Sequence, residues 1–170
     1  MNKVLARWNG AERDAAVEEI SACCGSRVWA ETMAARRPFC DVDELLQAAR
    51  NIWWDLSDTD WLEAFRSHPR IGQVRAAGAA SARSREWSSE EQRKVADGGG
   101  DAKAALVEGN RLYEERFGRI FIVCAAGKSP SEILQILRQR LQNDDAAEMR
   151  EAADEQSRIT DLRVRKWFGE

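Results

Sequence analysis

Apolar residues recur along this chain at intervals of three and four, the spacing that gathers them on one face of an α-helix. Val17, Ile20 and Cys24 form the first such set, Gly25 offers a stop, and Ser26 caps a second segment carrying Trp29 and Met33 that Arg37-Pro38 ends. Asp41-Val42-Asp43-Glu44 has the spacing of a capping box ahead of Leu45, Leu46, Ala49, Ile52 and Trp53, and Ser57-Asp58-Thr59-Asp60 opens a short helix with Trp61, Leu62 and Phe65. Near the other end, Ser129-Pro130-Ser131-Glu132 joins an N-cap, a first-turn proline and a capping glutamate, and launches Ile133, Leu134, Ile136, Leu137 and Leu141. A last helix carries Met149, Ala152, Ala153, Gln156, Ile159 and Leu162.

The middle of the chain is less regular. Residues 75–85 are rich in Ala, Ser, Gly and Arg, which predicts a loop or a weak helix, and Asp97-Gly98-Gly99-Gly100-Asp101 is a break. From Ala102 to Phe117 a helical face is lined by Leu106, Gly109, Tyr113 and Phe117, and Gly118 supplies a left-handed stop. The apolar run Ile120-Phe121-Ile122-Val123-Cys124 that follows suits a buried extended segment. Helix follows helix with no internal repeat and no long heptad array. The pattern predicts mostly helices, and the length of 170 residues fits one compact domain.

The composition narrows the class without changing that picture. Hydrophobic residues make up 44% and charged residues 32% of the 170, with the signs interspersed and a formal net charge of -3, which argues against a nucleic-acid surface. The N-terminal segment lacks the apolar core and small-residue cleavage site of a secretory signal, and the longest apolar run is too short for a membrane span. These features predict a soluble cytoplasmic protein with neither membrane nor nucleic-acid partners. Cysteines at 23, 24, 40 and 124 make no C-x-x-C pair and there is one histidine, so no metal site is expected. Gly127-Lys128-Ser129 resembles the end of a phosphate loop, but that motif requires glycine at position 122, which is Ile.

Two short motifs carry the chemistry. The single histidine, His68, lies in Ser67-His68-Pro69-Arg70-Ile71-Gly72 just after a helix, and the proline biases its backbone away from helical angles. An imidazole leaving a helix at a fixed turn suits proton transfer near neutral pH, although a lone histidine is more often an ordinary packed residue. Ser88-Ser89-Glu90-Glu91-Gln92 taken alone reads as another capping box. An acid beside an amide could equally face a pocket, with Glu91 partnering His68 and Gln92 binding a ligand rich in amide groups.

Those motifs in that order, followed by Asn110-Arg111-Leu112-Tyr113-Glu114-Glu115-Arg116-Phe117-Gly118-Arg119-Ile120-Phe121-Ile122-Val123-Cys124, resemble the family of OHCU decarboxylases of urate breakdown. OHCU is 2-oxo-4-hydroxy-4-carboxy-5-ureidoimidazoline. Arg37-Pro38-Phe39, Arg140-Leu141-Gln142-Asn143 with Glu148, and Ile159-Thr160-Asp161-Leu162-Arg163 extend the resemblance over nearly the whole chain. It implies an OHCU decarboxylase domain, all-helical and homodimeric, that forms (S)-allantoin without metal or organic cofactor. It leaves open a functional link to a hydroxyisourate hydrolase.

By the same resemblance, His68 is the expected catalytic acid and Glu91 its acidic partner. Pro69, Ser88, Gln92 and the backbone of Arg119, Ile120, Phe121, Ile122 and Val123 are expected to contact the substrate, with Arg163 or an arginine close to it. At Arg119-Ile120 the chain departs from the commonest family pattern of an aromatic residue followed by proline, which bears on the wall of the pocket. Two other readings stay in view: an inactive helical interaction module presenting tryptophans, and a metal-free hydrolase of a cyclic ureide with His68 as base.

Overall fold

The computed structural model describes residues 2–72, 80–96 and 100–169, with Ala96 described by its backbone alone. They form ten helices: α1 (Lys3–Asn9), α2 (Arg13–Cys24), α3 (Arg27–Ala35), α4 (Val42–Trp54), α5 (Asp58–Arg66), α6 (Ala82–Glu91), α7 (Arg93–Ala96), α8 (Gly100–Phe117), α9 (Pro130–Arg140) and α10 (Asp145–Phe168). No strand is present among the described residues. The helices divide into two compact units, Met1–Ala64 with Ser157–Glu170, and Phe65–Gln156.

In the first unit the helix ends follow the local chemistry. Gly25 closes α2 with φ of 85°, and the Ser26 hydroxyl accepts from the Trp29 N–H at the start of α3. Asp41 accepts from Glu44 N–H, while the Glu44 carboxylate reaches Cys40 N–H, one residue outside the expected box. Three buried indoles find backbone acceptors: Trp8 Nε1 donates to Ala16 O at 3.0 Å, Trp29 to Ala49 O at 3.0 Å, and Trp61 to Trp53 O at 2.9 Å. Trp29, Trp53 and Trp61 are buried core residues, so they are not a partner surface. Helix α1, which the periodicity did not reveal, places Trp8 against Phe39, Trp167 and Phe168.

The second unit is built on α8 and α9. Gly109 is where they approach: a Cβ there would lie 2.9 Å from Leu137 Cδ2, a distance real side chains do not tolerate without displacement. Leu106, Tyr113 and Phe117 of α8 pack with Ile133 and Leu137 of α9 in one buried cluster. The reciprocal capping box of Ser129 and Glu132 starts α9, with Pro130 in the first turn. Gly118, at φ of 66°, turns the chain out of α8.

Three details differ from the sequence reading. Helix α8 begins at Gly100, inside the expected break, whose residues 97–99 lie outside the described set, as do 75–79 of the expected loop. The last third of that loop belongs to α6, capped by Ser81. In α10, Leu162 is 44% exposed, whereas Glu148, Gln156, Thr160 and Arg163 are buried. The buried stripe of that helix is therefore partly polar, which apolar periodicity could not register.

Candidate functional site

The turn after α5 is fixed by its neighbours in sequence and by α8. The His68 N–H donates to Phe65 O at 3.1 Å, and His68 and Pro69 are both buried. Two residues on, Ile71 joins the core cluster of this unit, and its carbonyl accepts from Asn110 Nδ2 at 3.1 Å. Arg70 forms a two-pronged ion pair with Glu114, at 2.5 and 2.7 Å. Asn110 and Glu114 are one helical turn apart on α8, so a single helix face holds both. From the other side, Gln92 Oε1 accepts from the Gly72 N–H at 3.0 Å.

That bond joins the His-Pro turn to the end of α6, where the capping reading of Ser88 and Glu91 fails. The N-cap of α6 is Ser81, whose hydroxyl accepts from Ser84 N–H; Ser88 is a buried residue inside the helix and Glu91 is its last residue. Gln92 is the C-cap and donates its backbone N–H to Ser88 O. A carboxylate at a helix C-terminus faces the negative end of the helix dipole and gains nothing from it. Ser88, Glu91 and Gln92 stand three and four positions apart and share one side of the final turn.

The third element is the extended segment after Gly118. A lone extended chain among helices has no ladder partner, so its backbone groups need side chains. Arg140 Nη1 donates to Ile122 O at 2.7 Å, Cys124 N–H donates to Glu155 Oε2 at 2.6 Å, and Lys128 Nζ donates to Cys124 O at 2.6 Å. Side chains alternate across such a segment. Phe121, Val123 and Ala125 enter the core cluster, leaving Ile120, Ile122 and Cys124 on the opposite face. Burial raises the Cys124 thiol above its ordinary pKa, Lys128 opposes that shift, and the carboxylates of Glu155 and Glu91 reinforce it. Glu91 therefore lies within electrostatic reach of this second face.

The side chain of Arg119 turns away from that face. It donates to Phe117 O and to Asp145 at the start of α10, with its guanidinium 5.3 Å from the Phe117 ring. The guanidinium is thus held by that ion pair, while its Nε is buried without a hydrogen-bond partner. Arg163 lies in the other unit, 1% exposed, and donates to Ala22 O at 3.3 Å. Within Phe65–Gln156, Gln92 is bonded to the His-Pro turn and Glu91, beside it, acts electrostatically on Cys124; His68, Pro69, Ser88 and the segment from Ile120 to Val123 belong to the same unit. Among the described residues, no three His, Cys, Asp or Glu side chains form a group that could hold a metal ion.

Several anchors were invisible as functional residues in the sequence. Asn110 and Glu114 read as polar positions on an amphipathic helix, and Tyr113 as an apolar one. A polar pair one turn apart beside a buried tyrosine is the signal that could have marked them.

The family model for OHCU decarboxylase matches residues 9–165. A bifunctional uric acid degradation protein of Arabidopsis thaliana is 38% identical over 154 residues, 90% of this chain. The chain spans about half of that relative's length, 47%. The 2-oxo-4-hydroxy-4-carboxy-5-ureidoimidazoline decarboxylase of Haloferax volcanii is 28% identical, with 96% of this chain and 95% of the archaeal one covered. Among solved structures, OHCU decarboxylase crystallised in the presence of (S)-allantoin superposes with a TM-score of 0.78 at 37% identity, covering 90% of this chain and 99% of that one.

Proposed function

The chain belongs to the OHCU decarboxylase family, and from that premise we propose that it converts 2-oxo-4-hydroxy-4-carboxy-5-ureidoimidazoline to (S)-allantoin in urate degradation, as a carboxy-lyase. The observation that supports the reading is the pair of links from the end of α6 to the other two motifs within residues 65–156. Gln92 ties the end of α6 to the His-Pro turn, and Glu91 stands near Cys124 of the extended segment. The family match runs through both units, which supports one decarboxylase domain over residues 1–170. No helix among the described residues is long and apolar enough to cross a membrane. Cytoplasmic location, a homodimer and a functional link to a hydroxyisourate hydrolase complete the proposal.

The chemistry starts from the substrate. When the carbon–carboxylate bond breaks, carbon dioxide leaves, and its electron pair passes into the adjacent ring C=N, so the substrate carries its own electron sink. What remains for the protein is to orient the carboxylate, to stabilise charge on the ring and to protonate one face of the neighbouring carbon. In this reading His68 delivers the proton and Glu91 is its acidic partner. Ser88 and Gln92 donate and accept across the ureido group, and Pro69 packs on the ring. The backbone from Arg119 to Val123 supplies further polar contacts and the apolar wall.

Freshly generated substrate tests the assignment against its rivals. Accelerated release of carbon dioxide is the expected outcome. Ring opening without it would mean a hydrolase of cyclic ureides, and no acceleration at all would leave an interaction module.

A further inference from the structure

Beneath the extended segment lies a buried charged network that the catalytic reading does not use. Glu148 is fully buried, and its carboxylate accepts four bonds. Arg140 Nε and Nη2 reach Oε1 at 2.9 and 2.6 Å, Tyr113 O–H reaches the same oxygen at 2.5 Å, and Asn143 Nδ2 reaches Oε2 at 2.9 Å. Arg140 is itself 4% exposed. Desolvating two such charges costs several kcal/mol per ion, and well-packed apolar residues of similar volume often serve stability as well or better. The pair is therefore weak evidence of a purely stabilising role.

What apolar residues could not do is hold a backbone carbonyl in one direction. Having placed two of its nitrogens on Glu148, Arg140 turns Nη1 onto Ile122 O at 2.7 Å and sets its guanidinium 4.7 Å from the centre of the Phe121 ring. The same planar group grips two consecutive residues of the segment. Phe121 is directed into the core, where it also meets Tyr113 edge to face at 5.2 Å. Fixing the Phe121 ring and the Ile122 carbonyl fixes the rotation of the chain about its own axis. That rotation decides where the Ile120, Ile122 and Cys124 face points.

We propose that Arg140, clamped by Glu148, is a positioning residue for the decarboxylation: it sets the twist of residues 120–124 and so the face of the substrate ring that meets the proton source. The inference rests on the functional reading above. A lysine at this position keeps the charge but lacks the fork needed to hold Glu148 and Ile122 O together.

The test compares Arg140→Lys and Glu148→Gln with the unsubstituted protein in KM, kcat and the enantiomer ratio of the allantoin formed, with circular dichroism reporting the folded fraction. Glu148→Gln keeps shape and acceptor, and carries the test if the lysine variant does not fold. The expected result is a rise in KM of about tenfold or more and an enantiomer ratio moving toward equality in protein that remains helical, in line with the cost of small misplacements at a reacting centre. A purely structural role would lower the folded fraction and leave the KM and enantiomer ratio of the folded remainder unchanged, which overturns the inference while the parent stays active. An inactive parent overturns the functional reading and takes the inference with it.

Discussion

Replacing Tyr113 by Phe removes one hydroxyl from the buried network and little else. Tyr113 is fully buried, and the ring contacts with Phe117 at 4.8 Å and Phe121 at 5.2 Å survive in the variant. The lost element is an O–H bond of 2.5 Å to the Glu148 carboxylate. A hydrogen bond to a charged group contributes about 1.5–3 kcal/mol net, which changes the ratio of folded to unfolded protein by roughly ten- to hundredfold. Glu148 keeps its bonds from Arg140 and Asn143, so the carboxylate is not left bare. Urea denaturation should show a lower midpoint with an unchanged slope.

The same substitution has an alkaline signature. Burial, reinforced by the Glu148 carboxylate, raises the phenol above its ordinary pKa of 10.0, and Tyr113 is the only tyrosine in the chain. A group whose folded pKa is raised contributes stability that is complete below its unfolded pKa and is lost as pH rises through the folded value. The difference between parent and Tyr113→Phe should therefore be constant below pH ~10 and shrink above it. A difference below about 0.5 kcal/mol at neutral pH would refute the charge-assisted bond.

Three further outcomes follow from the other parts of the molecule. His68→Ala should remove most decarboxylase activity while the helical circular-dichroism signal persists; near-normal turnover would discard His68 as the acid. Glu91→Gln should lower turnover by about 10²–10⁴, the usual span for acid–base groups, with a stability change within about 0.5 kcal/mol by thermal melting. Unchanged turnover would leave Glu91 without a role in the chemistry. Burial drives the Cys24 thiol from 9.0 up to about 12. By the same sign rule its stabilising share is intact below pH 9 and lost from there towards pH 12, with a slope of at most ~1.4 kcal/mol per pH unit. Cys24→Ala should flatten that alkaline loss in pH-dependent urea titrations, and an unchanged slope would count against the buried thiol as its source.

Much of the fold could be read from the chain because its helix ends are written locally. Ser26, Asp41 and Ser129 cap where their spacing says, and Gly25 and Gly118 take the left-handed angles their positions require. The final helix was harder, because its inward stripe includes Glu148, Gln156 and Arg163, and buried polar residues paired at a distance leave no apolar period. The candidate site divides along the same line. His68 stands out through its proline, whereas Glu91 looks like a cap until Ser81 is seen to hold that place. Asn110, Glu114 and Arg140 act on backbone groups and side chains far away in sequence, and such contacts have no local signal.

The central claim is that a chiral pocket carries out this decarboxylation, and the hand of the product tests it most directly, because the substrate also decays in water. Uncatalysed protonation from both faces gives racemic allantoin. In the proposed function a pocket between the His68 turn and the Ile120–Val123 wall exposes one face, and each ~1.4 kcal/mol between the competing transition states gives roughly tenfold selectivity. The measurement is chiral chromatography of allantoin formed from fresh substrate in deuterated water, under conditions that suppress later racemisation. The account predicts accelerated formation of the S enantiomer with deuterium at the newly protonated carbon; racemic product at the spontaneous rate would contradict it.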